Sequence, residues 1–159
     1  FLRNLSSQLC VFEDFGGISG LLHDLDMDML NGNYAEHGYK TVEILKEEGY
    51  DLPKMFQAII AHTEGVSGHD AKRESDFDYI LAAAENITGI ISAYVAIRPE
   101  KKIAGTKVKS IKKKLKSKAF AASVNREFIY DIEKAGIELP EFLQLAIDAM
   151  SEKADEFGM

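Results

Sequence analysis

"YILAAAENITGIISAYVAI", Tyr79 to Ile97, is the stretch on which the fold turns. Its 19 residues carry one formal charge, Glu85, and its length is about the minimum for crossing a bilayer. Yet Glu85, Asn86, Thr88 and Ser92 lie near its middle, where polar groups are costly in lipid. The stretch therefore reads as the buried central helix of a soluble protein, not as a membrane span. A helix apolar on most sides must be wrapped by other helices, and the flanks supply them.

Helical periodicity dominates on both sides, and alternation of period two is hard to find. Helices are expected at 1–13, 16–26, 34–48, 52–63, 76–97, 106–117, 124–135 and 140–156. Gly49 follows one helix and Pro53 opens the next, and Leu139-Pro140-Glu141 reads as another helix start. "DMDMLNGNYAE" (Asp26–Glu36) and "GVSGHDAKRESD" (Gly65–Asp76) read as polar loops. No internal repeat or low-complexity tract is present. The expected class is all-α, an irregular helical bundle.

At 159 residues the chain has the size of one domain, with a 46% hydrophobic and 28% charged composition typical of soluble globular proteins. Cys10 is the only cysteine, so no intrachain disulfide can form and a reducing, cytoplasmic setting is expected. "FLRNLSSQL" already reads as helix, without a basic n-region or a small-residue cleavage site, so a signal peptide is not expected and the natural protein is expected to begin upstream of Phe1.

The net charge of −7 hides an asymmetry. Between Arg98 and Lys118 stand ten Lys and Arg against one acid, Glu100. The acidic remainder disfavours generic nucleic-acid binding, whereas the basic stretch invites a local anionic partner.

Several polar residues sit on faces that should point inward. His23 shares a helical face with Gly16, Ser19 and Gly20, small residues that let another helix approach the imidazole. His37 shares a face with Thr41, Ile44 and Leu45, and His62 lies over Met55, Ala58 and Ile59. Glu85 sits mid-helix, with Leu81 and Ala82 one turn before it and Thr88 and Gly89 one turn after. His69, between Gly68 and Asp70 in the polar loop, reads as surface. A buried carboxylate without a partner protonates rather than staying charged, so something must compensate Glu85. Three inward imidazoles with Asp24 and Glu85, on four helices, make a set of N and O ligands for one or two transition metals. Their wide spacing means that the fold has to assemble them. No Ser-His-Asp triad, phosphate-binding glycine loop or dinucleotide fingerprint is apparent.

The stretch "GISGLLHDLD" resembles the His-Asp element of the HD-domain superfamily of metal-dependent phosphohydrolases, in particular the small HDIG-type proteins. "EHGYKTVEILKEEGY" and "AIIAHTEG" are similar to the next two elements, "LAAAENITGIISAYVAIRP" to the last helix, and "VKSIKKKLKSKAFAASVNRE" to the extension of such proteins. Two departures stand out: no His precedes His23, and Glu85 and Asn86 stand where the family usually writes Asp-Glu. The resemblance implies an HD-type helical core at 1–97, lacking its N-terminal His-bearing segment, with 98–159 a basic segment and helices packed on the same domain. It implies His23, Asp24, His37, His62 and Glu85 as ligands of one or two divalent ions (Fe, Mn, Zn, Ni or Co). Asp24 would be catalytic, and Arg98, Lys101 and Lys109 would grip substrate phosphate. The expected activity is hydrolysis of a nucleotide or other phosphate ester by metal-activated water, on a small phosphorylated substrate and with no membrane partner. The alternatives are a di-iron oxygenase of the same superfamily and a non-catalytic binding module that keeps the pocket.

Overall fold

A computed structural model describes residues 13–66 and 68–159; the helix expected at 1–13 lies outside them except for its last residue. Among the described residues all regular structure is helical. Eight α-helices follow in order: α1 (Glu13–Leu22), α2 (Tyr39–Glu47), α3 (Pro53–Ala61), α4 (Asp76–Ala96), α5 (Val108–Leu115), α6 (Arg126–Tyr130), α7 (Leu139–Glu152) and α8 (Ala154–Phe157). Short 3-10 turns occupy Met27–Met29, Tyr34–Glu36 and Asp131–Ala135. The chain divides into two units, Leu2–Ala82 and Ala83–Met159, and α4 runs through the boundary.

In the N-terminal unit α3 packs against both α1 and α2. The core is built from Val42 and Leu45 of α2, Met55, Phe56, Ala58 and Ile59 of α3, and Ile80 and Leu81 of α4, all buried. Phe15 of α1 meets Phe77 of α4, ring centroids 5.1 Å apart. The close approach of α2 and α3 depends on Gly38: its φ is +78°, and a Cβ there would stand 2.8 Å from the Ile59 carbonyl oxygen. At its other end α2 closes as a Schellman motif, with Tyr50 N–H on Leu45 O and Gly49 N–H on Lys46 O, both at 3.0 Å. Pro53 opens α3, where a missing N–H costs no helical bond.

Two expected helices end early. The one expected at 16–26 stops at Leu22, and Gly16-Gly17, read as its start, lies inside a helix already formed at Glu13. The one expected at 34–48 is split, because His37 is extended (φ −59°, ψ 135°) and Gly38 is left-handed. The loop 65–75, expected to be merely polar, buries Ala71 and Arg73. It is anchored by Glu64, whose carboxylate accepts Arg73 Nε at 2.9 Å and Arg73 N at 3.1 Å. Ser75 and Asp78 then start α4 reciprocally, Asp78 N–H donating to Ser75 Oγ and Ser75 N–H to Asp78 Oδ2.

α4 is long and apolar enough to cross a membrane by length and composition alone, but half of its most apolar window is buried within the protein. Its residues Leu81, Ala82, Ala83, Ile87, Ile90 and Ile91 are all 0% exposed, as a core helix requires.

In the C-terminal unit α5 packs on α7. Ile111 and Leu115 are buried, while Lys109, Lys113 and Lys116 are exposed. α7 buries Phe142, Leu143 and Ala146 completely, and a Phe side chain so buried contributes about 1.5–3 kcal/mol. Two arginines shape the connections. Arg98 donates to Thr106 Oγ1 at 2.8 Å and to Ile103 O at 3.4 Å. Arg126 donates to the carbonyls of Ser117, Phe120, Ala121 and Val124. Asn125 caps α6, its side chain accepting Glu127 N–H at 3.1 Å.

Candidate metal centre

Two of the four histidines occupy equivalent places. His23 stands one residue beyond the end of α1, and His62 one residue beyond the end of α3. Each turns its Nδ1 back to the carbonyl three residues earlier, His23 to Gly20 O at 2.9 Å and His62 to Ile59 O. These carbonyls lie in the last turn of a helix, where no N–H further along the helix satisfies them. A carbonyl oxygen only accepts, so Nδ1 is the protonated nitrogen in both rings, and a neutral imidazole then offers a lone pair at Nε2.

His37 is positioned differently. It lies off the helices, between the 3-10 turn Tyr34–Glu36 and α2, and not within a continuous helix as its spacing suggested. The cause is Asp26, which sequence reasoning passed over as one of several loop acids. Asp26 is 0% exposed. Its Oδ2 accepts Gly38 N–H at 2.7 Å and Thr41 N–H at 3.1 Å, and its Oδ1 lies 2.7 Å from His37 Nδ1. Asp26 N–H in turn donates to Thr41 Oγ1 at 3.2 Å. The carboxylate thus takes the place of an N-cap for α2 from 12 residues away and fixes His37 at the same time. The only sequence signal for this was an acid two residues after Asp24, between apolar Leu25 and Leu30.

The three Nε2 atoms converge on Asp24. His23 Nε2 is 3.2 Å from Asp24 Oδ2, His37 Nε2 is 3.3 Å from Oδ1, and His62 Nε2 is 3.6 Å from Oδ1. His37 Nε2 and His62 Nε2 are 3.2 Å apart, with the rings near perpendicular at 87°. Two imidazole lone pairs and a carboxylate cannot crowd together at such distances without a shared proton or cation. Two nitrogens bound at 2.0–2.1 Å to one tetrahedral ion would themselves be about 3.3 Å apart. The donor atoms of His23, Asp24 and His62 all lie within 4.8 Å of one another, and the group could hold a metal ion. Each imidazole also has its remote nitrogen engaged by an oxygen, which is the usual support for a metal-binding histidine.

Burial and charge act together here. Burial by itself would raise the Asp24 pKa, but the hydrogen bonds that His23, His37 and His62 give it when protonated outweigh burial and hold the carboxyl well below the usual range. Burial would lower the His37 pKa, but its hydrogen bonds to Asp24 and Asp26 outweigh that and raise it. The Asp24 side chain is 48% exposed, against 14% or less for the three imidazoles, so the group opens to solvent on its Asp24 side.

The remaining expected site residues lie in the C-terminal unit. Glu85 is half-buried on α4 and accepts Asn86 Nδ2 at 2.9 Å. Arg98 is bound by Thr106, Ile103 and Glu100, the last at 3.0 Å, while Lys101 and Lys109 are exposed. His69, read as surface, is half-buried in the N-terminal unit. Its Nδ1 meets Thr63 Oγ1 at 2.6 Å, its Nε2 lies 2.9 Å from Tyr34 O, and its ring packs against Tyr39. It buttresses the loop and lies outside the convergent group.

No family model matches this chain, and neither a curated protein nor a solved structure matches it.

Proposed function

We propose that the chain is a metal-dependent phosphohydrolase of the HD type, acting on a nucleotide or other phosphate ester. The observation that carries this reading is the convergence of three Nδ1-anchored imidazoles on one partly exposed carboxylate. Asp24 is the hinge of the arrangement: Oδ2 faces His23 and Oδ1 faces His37 and His62, which suits a carboxylate bridging two ions. His23 would then serve one ion and the His37–His62 pair the other. A mixed N and O donor set fits Fe, Mn, Zn, Ni or Co. An ion bound there with open positions would lower the pKa of its water and supply hydroxide near neutral pH. The side chains of the protein hold this charge apart from bulk solvent, and the exposed edge of Asp24 leaves a route for an anionic substrate.

The test is metal analysis of purified protein alongside His62→Ala and Asp24→Asn, followed by a screen of phosphomonoesters, nucleotides and cyclic dinucleotides. At least one equivalent of transition metal is expected in the wild type, with a loss in both variants and phosphate release only from the loaded wild type. Equal metal content in all three proteins would remove the centre. Metal binding without phosphate release from any ester would remove the hydrolase.

A further inference from the structure

We infer that Asp26 is the positioning residue of this centre, fixing the tautomer of His37 so that Nε2, the nitrogen facing Asp24 and His62, carries a lone pair. The inference rests on the reading of the group as a metal centre and says what makes His37 a competent ligand in it.

Asp26 is completely buried. One of its oxygens is held by two backbone N–H groups, Gly38 at 2.7 Å and Thr41 at 3.1 Å. Backbone N–H groups only donate, and these two are fixed by the start of α2, so Oδ2 has to be an acceptor. The other oxygen stands 2.7 Å from His37 Nδ1. An Oδ1 that accepts, as Oδ2 does, takes its hydrogen from Nδ1, and Nε2 is left as the lone-pair nitrogen. The chain of command runs from the N-terminus of α2 through Asp26 to the ring of His37. His23 and His62 get the same result from backbone carbonyls. His37 has no such carbonyl and depends on a side chain, so its tautomer can be reversed by one substitution.

Asp26→Asn is nearly isosteric and reverses it. The amide oxygen must remain on Gly38 and Thr41 N–H, because the opposite orientation would press an NH2 group against two buried donors. The amide NH2 then faces His37 Nδ1, which must accept. The ring proton moves to Nε2, and the nitrogen aimed at Asp24 and His62 can no longer ligate.

The experiment is 15N NMR of the imidazoles in chelator-treated protein, followed with rising pH until His37 is neutral, with His37 assigned by its loss in His37→Gln. The wild type is expected to show a protonated Nδ1 and a lone-pair Nε2 at His37, and Asp26→Asn the reverse, with His23 and His62 unmoved. A neutral His37 with its proton on Nε2 in the wild type overturns the inference without any variant having to fold. A His37 pattern unchanged by Asp26→Asn overturns it as well. Zn(II) titration against a chromophoric chelator is run beside it, and Asp26→Asn is expected to weaken binding about 10–100-fold. A wild type that takes up no zinc sinks the metal reading, whereas the metal-free spectrum tests Asp26 separately.

Discussion

Glu64 and Arg73 close the loop that follows α3, and their pairing sets a pH dependence. Burial works to raise the Glu64 pKa, but Arg73 donates to it from both its side chain and its backbone, Lys72 adds a weaker contact, and the net effect is downward. A group whose folded-state pKa is depressed stabilises the fold above its unfolded pKa, and that stability is lost as pH falls through the folded value. The unfolded value is about 4.3, so the loss begins near there and continues below it. Glu64→Gln is expected to lower the urea midpoint at neutral pH and to flatten its fall in the acid range, where variant and wild type converge. Parallel midpoints over the whole range would show that the pair is electrostatically idle. The same residue scale marks where the sequence could be read and where it could not. His62 was visible as an inward residue, because a polar side chain over Met55, Ala58 and Ile59 breaks a periodic pattern, whereas His37 is buried from outside any helix. Asp26 broke none: it sits in a loop rich in acids, and only its hydrogen bonds to Gly38, Thr41 and His37 set it apart from Asp28.

At the level of elements, the α class and the existence of most helices were legible because apolar residues recur at helical spacing. The boundaries were less so. α1 ends at Leu22 and α3 at Ala61 because the next residue, a histidine, returns its ring to a carbonyl of the last turn. These ends are set by a local bond from ring to backbone, which a single-residue propensity scale does not contain. α5 shows the reverse case, a helix whose propensity is opposed by its own charges. Lys109 and Lys113 are four residues apart, as are Lys112 and Lys116, and such like-charged pairs repel. The helix forms because Ile111 and Leu115 are buried. Lys109→Glu places an acid in the first turn, one turn before Lys112 and Lys113, where it complements both the lysines and the helix dipole. It should add about 0.5–1 kcal/mol and raise the melting midpoint by about 2 °C, an effect that shrinks with added salt. A lowered midpoint would mean that Lys109 makes a favourable contact its exposed position does not suggest.

For the whole molecule, the proposed centre links folding to metal. His23, Asp24, His37 and His62 come from segments up to 39 residues apart, and only the folded chain brings them together. An ion that binds the folded state and not the unfolded one stabilises it by mass action, by about 2.7 kcal/mol at a free concentration 100 times Kd. For a chain of this length that is a rise of about 5–10 °C in the melting midpoint. All four residues belong to the unit Leu2–Ala82, and this fixes which transition should move. If the chain melts in one step, the whole transition shifts. If the two units melt separately, the shift falls on the N-terminal unit alone, and the transition of Ala83–Met159 stays in place. Scanning calorimetry of the full chain with Zn(II) or Mn(II), after removal of endogenous metal, reads both cases, and His62→Ala supplies the control. A midpoint that ignores both ions, or that moves equally in His62→Ala, would mean that the imidazoles converge without binding a cation. The shared positive charge between them would then have to be a proton, and His37, held between Asp24 and Asp26, is the ring placed to carry it.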